Sequence, residues 1–296
     1  MSERNSPHRG LLVAAWATIA VCLTGEALGA EAAATPDKSG YSIFNPTPDS
    51  ALRSFSPDRP LNAVTPYTVD AGRLQVESDF LFFTQSSDRL TTTRTLEALD
   101  PEIRLGLTQY LEFDLLTTGL LTDRMTANGT GRRLERDTGT GPVTLRARYS
   151  VFGDDGGTYA FSVLPFLTIP SGDRHFSDPK VEGGVLAPLN ISLPSDFGLV
   201  LETGVQSLHS GAGSTFASFT NLANLSHAVP GVDHLTASIE FTSIVNADRL
   251  TPDTYTFETA LAYLATPTTQ LDVGGFIGLN RAAPDFQVAA GISHRF

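Results

Sequence analysis

The chain has 296 residues, 41% of them hydrophobic, and 20 Lys and Arg against 32 Asp and Glu give a net charge of −12. An acidic balance of this size excludes a nucleic-acid partner, which calls for a basic stripe. The single cysteine, Cys22, falls in an N-terminal leader, so the mature chain is read as having neither disulfides nor thiol chemistry.

Residues 1–30 read as a secretory signal. Arg4, His8 and Arg9 form a basic start, Leu11 to Leu23 is an apolar run, and small residues place cleavage after Ala30 or Ala34. The run is too short for a spanning helix, which takes roughly 20 apolar residues. A lipoprotein reading at Cys22 meets the bulky Val21 where a small residue is expected. Residues 31–66, rich in Ala, Pro, Ser, Thr and Asp, show no periodicity and read as an irregular N-terminal segment. The domain that follows takes residues 67–296.

From Gly72 onward, stretches of about ten alternating residues recur between clusters of Gly, Pro, Asn and Asp. Twelve are expected as strands: 72–84, 94–107, 111–121, 141–151, 158–169, 183–192, 198–208, 216–227, 235–245, 254–264, 270–280 and 286–296. Residues 122–140 and 170–182 read as long loops, whereas 108–110, 152–157, 193–197 and 265–269 read as short turns. In 158–169, Tyr159, Phe161, Val163, Pro165, Leu167 and Ile169 share one face, and in 254–264 Tyr255, Phe257, Leu261 and Tyr263 do. The opposite faces carry charge. A soluble sandwich alternates in the same way, with its apolar face in the core. Strand length, an even strand count, loop asymmetry and the leader favour an all-β transmembrane up-and-down barrel of about twelve strands in a Gram-negative-type outer membrane.

The last strand alternates to its final residue. Its ending resembles that of bacterial outer-membrane barrels, whose last strand is recognised by the barrel assembly machinery. The resemblance makes Val288, Ile292, His294 and Phe296 an assembly signal, with His294 standing where an aliphatic residue or tyrosine is usual. A second resemblance rests on Asp58-Arg59-Pro60, on Pro66-Tyr67-Thr68-Val69, and on Gly72 followed by Gln75 and Glu77. "IRLGLTQYLEFDL" (103–115) and "LPFLTIPSGD" (164–173) extend it. These residues resemble the barrel family labelled "Putative MetA-pathway of phenol degradation". The resemblance implies an outer-membrane channel, with aromatic or hydrophobic compounds as solutes, and transfers no catalytic residue.

The charged faces supply the candidate site: Glu77, Asp79, Glu102, Arg104, Glu112, Asp114, Arg146, Arg148, Glu202, Glu240 and Glu258. Facing acids and arginines would make either a constriction with a transverse field or a salt-bridge ladder that stiffens the wall. Phe44, Phe55, Asp58, Arg59 and Pro60 are candidates for a plug folded into the bore, with Arg59 meeting acids such as Glu77 or Glu258. The other reading of 41–66 is a periplasmic arm. An enzyme would need a Ser hydroxyl within reach of an oriented His, but Ser293-His294 and Ser226-His227 are strand neighbours on opposite faces. No catalytic residue, metal ligand or cofactor is therefore expected, and "SGDRHFSDP" lacks the regular spacing of a calcium loop. Arg132, Arg133 and Arg136 are read as contacts to lipopolysaccharide or as solvated loop charges. The function expected is passive diffusion of small molecules across the outer membrane. The alternative is a closed structural or surface-display barrel whose outer loops bind a partner.

Overall fold

The computed structural model describes residues 37–210 and 214–296; the signal-peptide reading and Cys22 lie outside the described residues. After an irregular segment with one 3-10 turn at Asp49–Ala51, the chain is strand throughout. The strands are β1 (Leu74–Ser87), β2 (Thr91–Ala98), β3 (Glu102–Gly106), β4 (Leu111–Thr117), β5 (Leu120–Ala127), β6 (Arg133–Gly139) and β7 (Val143–Phe152). There follow β8 (Tyr159–Ile169), β9 (Glu182–Ser192), β10 (Phe197–His209), β11 (Thr215–Ala228), β12 (Leu235–Asn246), β13 (Thr254–Thr266), β14 (Thr269–Gly278) and β15 (Phe286–Arg295).

β1 is bonded to β3 over its first half and to β2 over its second. β3 pairs with β4, β4 with β7, and each later strand with the next, until β15 returns to β1 and closes the sheet. The pairs β2/β3, β4/β5 and β6/β7 are halves of single barrel strands, so the barrel is a closed antiparallel one of twelve strands. The three interruptions lie side by side at 99–101, 118–119 and 140–142. Pro101 and Pro142 have no N–H to give to a ladder, and Leu99 takes a φ of 58°. Main-chain bonds from Gly119 to Leu99 (2.7 Å) and from Gly141 to Thr118 (2.8 Å) carry the wall across the break.

Burial is inverted relative to a soluble protein. In β1, Gln75, Glu77 and Asp79 are buried while Phe80 is exposed; in β14, Gln270 and Asp272 are buried while Leu271, Val273 and Ile277 are exposed. Apolar side chains stand outward around the whole wall, and the interior is polar. That arrangement is stable only if lipid replaces water outside, and it resolves the sandwich alternative in favour of an outer-membrane barrel. The loop expectation for 122–140 needs correction. The long loop is a hairpin of β5 and β6 with a turn at 128–132, extending the wall at the outer end. Turns of at most six residues join strands at the opposite end (107–110, 153–158, 193–196, 229–234, 267–268), the end that faces the periplasm in such barrels. β1 starts there at Leu74, so residues 67–73 belong to the irregular segment rather than to the wall.

Candidate functional site: the charged bore and the segment inside it

Residues 37–73 gather at the short-turn end, and 53–71 of them run inside the barrel as irregular backbone. Buried backbone without partners is costly, and here the wall supplies them as carboxylates. The N–H groups of Asp58 and Arg59 donate to Glu77, those of Asn62 and Ala63 to Glu240 (3.0 and 3.2 Å), and that of Val64 to Glu202 (3.0 Å). Thr68 donates from its N–H to Asp154 (2.8 Å), and Val69 donates to Glu112. Gly72 reverses the chain into β1 with a φ of 72°, and a Cβ there would meet Pro46 at 2.8 Å. Three inner-face glycines make room for the segment. A Cβ at Gly106 would strike the carbonyls of Val69 and Asp70, one at Gly274 would lie 3.3 Å from the Pro60 carbonyl, and one at Gly291 would strike the Arg59 guanidinium.

Three tiers of charge hold it. At the periplasmic mouth, Lys38 bridges Asp70 (3.1 Å) and Asp155 (2.7 Å), and Arg53 meets Asp154 (3.2 Å) and Asp155 (2.9 Å). At mid-bore, Asp58 accepts from Arg148 (2.5 Å) and Arg146 (2.8 Å) and lies 3.5 Å from Arg104. These arginines are tied in turn to the wall: Arg104 to Glu77 (2.9 Å) and Glu112 (2.8 Å), Arg146 to Asp114 (2.7 Å) and Glu102. Higher up, Arg59 donates to Asp79 (2.5 Å) and Asp272 (2.8 Å), and the Asn62 amide donates to Glu258 (3.2 Å). Burial opposes the charge of Asp58, but Arg104, Arg148 and Arg146 outweigh it and hold its carboxyl well below the ordinary range. Burial prevails at Asp154, whose carboxyl is pushed up to about 6 against the pull of Arg53.

The expected wall residues from Glu77 to Glu258 thus all face inward, and the structure brings all of them against this segment or its partners. The plug candidates divide. Asp58 and Arg59 sit inside, and Pro60 follows Arg59 through a cis peptide bond. Phe55 is half-buried, with the Arg295 guanidinium 5.7 Å over its ring. Phe44 is a correction: it caps the Ser42–Asn45 turn outside the bore and is 91% exposed. The side-chain partners of Arg59 are Asp79 and Asp272; Glu77 receives its main-chain N–H, and Glu258 belongs to Asn62. Reading the sequence missed Lys38, Arg53, Asn62 and Asp70, which follow no period, and took Asp154-Asp155 for a turn only. Two adjacent acids at a periplasmic turn were the available signal.

Above the segment lies a cavity of ≈ 380 Å³, lined among others by Arg59, Leu61, Asp79, Asp100, Glu102 and Leu116. Phe276, buried on the inner face, stands 5.7 Å ring to ring from Phe82. At the outer mouth the 170–181 loop brings two His–carboxylate groups together, Glu135–Asp137–His175 and Asp178–Glu182–His209, each with donor atoms within 4.8 Å of one another. Glu135, Asp137, Glu182 and His209 lie outside "SGDRHFSDP", so its spacing alone could not reveal them. On the outer face of β15, His294 Nδ1 lies 2.8 Å from the Thr269 hydroxyl and its ring meets Phe296 edge-on at 4.5 Å. The Phe296 N–H donates to Leu74 (2.8 Å) across the barrel closure.

The sequence matches the model of the family described as "Putative MetA-pathway of phenol degradation" over residues 57–296, and the chain belongs to that family. No curated protein matches it. Among solved structures, the COG4313 outer membrane channel from Pseudomonas putida F1 superposes with a TM-score of 0.58 at 14% identity, covering 76% of this chain and 95% of that one. The NanC porin gives 0.46 at 11% identity, covering 75% and 98%. The β domain of the Bordetella autotransporter BrkA gives 0.44 at 12%, again covering 75% and 98%. At 14% identity the likeness to the COG4313 channel is one of fold.

Proposed function

From membership of this barrel family and the geometry of the bore, we propose that the protein is an outer-membrane channel for passive diffusion of small molecules, shut at rest by residues 37–73. The observation that supports this reading most is that irregular backbone outside the sheet, residues 53–71, occupies the bore among the wall's charged side chains. At Gly106, Gly274 and Gly291 the wall carries no side chain where the segment passes. A twelve-stranded barrel is wide enough to leave a narrow bore once emptied. Solute would enter from the loop end, occupy the cavity beside Arg59, and pass the band of Arg104, Arg146 and Arg148 when the segment yields. The family's description and the Phe82–Phe276 pair support aromatic or hydrophobic compounds as the first solutes to test. Export by a signal peptide at 1–30 and recognition of Val288, Ile292, His294 and Phe296 by the assembly machinery belong to the same reading, which includes no catalysis.

A filled bore also supports a second reading, a closed structural barrel whose outer loops bind a partner. Single-channel recording in a planar bilayer separates the two. The mature chain should be nearly silent, and a variant lacking residues 37–66 should conduct in discrete steps. A deletion variant that is inserted and folded yet silent overturns the channel.

A further inference from the structure

The outer faces of β1, β2, β5, β6 and β15 are ruled into rows by their register. One row reads Val288, Phe83, Leu96, Thr122 and Thr138; the next row outward reads Phe286, Gln85, Arg94, Arg124 and Arg136. The first, with Phe286 beside it, ends the apolar surface. Phe286 and Phe83, 5.9 Å apart, stand where barrels place the aromatic girdle that marks the edge of the hydrocarbon. The second row sits two residues further along each strand, roughly 6–7 Å, on the loop side of that girdle.

Arg94 is directly opposite Arg124, and Arg124 directly opposite Arg136. Like charges in such positions repel. All three are exposed, and none has an ion-pair partner among the described residues. Arg94 is held in register by the Gln85 amide oxygen (2.9 Å), which leaves both terminal nitrogens of its guanidinium open. The same hairpin carries its acids, Asp123, Glu135 and Asp137, on the inner face with His175. Charge is therefore sorted by face in a chain whose overall balance is −12: basic toward the membrane, acidic toward the mouth.

We infer that Arg94, Arg124 and Arg136 form a docking row for the phosphorylated headgroups of outer-leaflet glycolipid of the lipid A type. Planar guanidiniums bind phosphate bidentately, and a phosphate seated between neighbouring arginines relieves their mutual repulsion. The row fixes the depth of the barrel at the outer surface and clamps the β5–β6 hairpin to the membrane. Its register, set by β2 and β5, distinguishes it from a scatter of loop charges such as Arg132.

The full mature chain is reconstituted in phosphatidylcholine vesicles doped with bisphosphorylated lipid A or with its dephosphorylated form, and lipid enrichment around the protein is measured by fluorescence transfer. The chain should enrich the phosphorylated lipid, and R94Q/R124Q/R136Q should lose that preference by about a hundredfold at low salt, following the usual contribution per cationic side chain near an anionic surface. The triple Lys variant should recover part of it, and R89Q/R249Q, in the outer loops, should keep all of it. Folding of each variant is verified by circular dichroism. A folded triple Gln variant with undiminished preference, or equal enrichment of dephosphorylated lipid, overturns the inference. Displacement of the lipid by millimolar inorganic phosphate would reassign the row to free anions and overturn it as well.

Discussion

Replacing Asp58 by Asn keeps the shape of the residue at mid-bore and removes its charge. In the folded chain Asp58 is 7% exposed and faces Arg104, Arg146 and Arg148, and it also accepts from the Thr65 N–H at 2.8 Å. Without Asp58 the wall still pairs its own arginines: Arg104 keeps Glu77 and Glu112, and Arg146 keeps Asp114 and Glu102. The barrel should fold unharmed, while the docked segment loses its central tie. Removing one partner from a buried pair costs ~3–5 kcal/mol. That shifts the balance between docked and undocked segment by about two to three and a half decades, at 1.4 kcal/mol per decade. In single-channel recordings D58N should turn a nearly silent barrel into one with frequent openings, whose conductance matches that of the deletion lacking 37–66. A folded, inserted D58N as silent as the parent, beside a conducting deletion, would refute the claim that mid-bore charge holds the segment.

Acidification should tighten the closure. Burial raises the Asp154 carboxyl from 3.8 to about 6 in the docked state, where it faces Arg53, Thr68 and the neighbouring Asp155. A raised group binds its proton more tightly when docked, so its contribution is full below the ordinary value and is lost as pH rises through 6. Openings of D58N should become rarer between pH 7 and 5, by at most about tenfold per pH unit for one proton, and adding Asp154→Asn should flatten this dependence. Gly291→Val should drive the Arg59 guanidinium from Asp79 and Asp272 and raise open probability; recordings indistinguishable from the parent would count against the recess. Deleting Phe296 removes its main-chain bond to Leu74 and its contact with His294 and should reduce folded barrel in outer-membrane fractions, read as the heat-modifiable band on gels.

The alternation in stretches such as 158–169 and 254–264 is enough to make strands, and twelve of them were countable because each has one face in lipid and one in the bore. Period-2 patterning also set the strand ends, to within a few residues, wherever that contrast held. It failed at 122–140, where "TDRMTANGTGRRLERDTGT" is polar on both faces. β5 and β6 stand beyond the hydrocarbon, both their faces are polar, and no alternation marks them. Nor does the sequence say which face is inside, since a sandwich and a barrel alternate alike; that was decided when β15 paired with β1 and enclosed the charges. The segment in the bore shows the same limit. Asp58 and Arg59 were visible as residues, but Asn62 meets Glu240 across 178 positions, and Arg94, Arg124 and Arg136 form a row only through strand register. Local chemistry chose the strands; closure of the sheet chose their neighbours, because long-range pairing depends on geometry that no short stretch of chain contains.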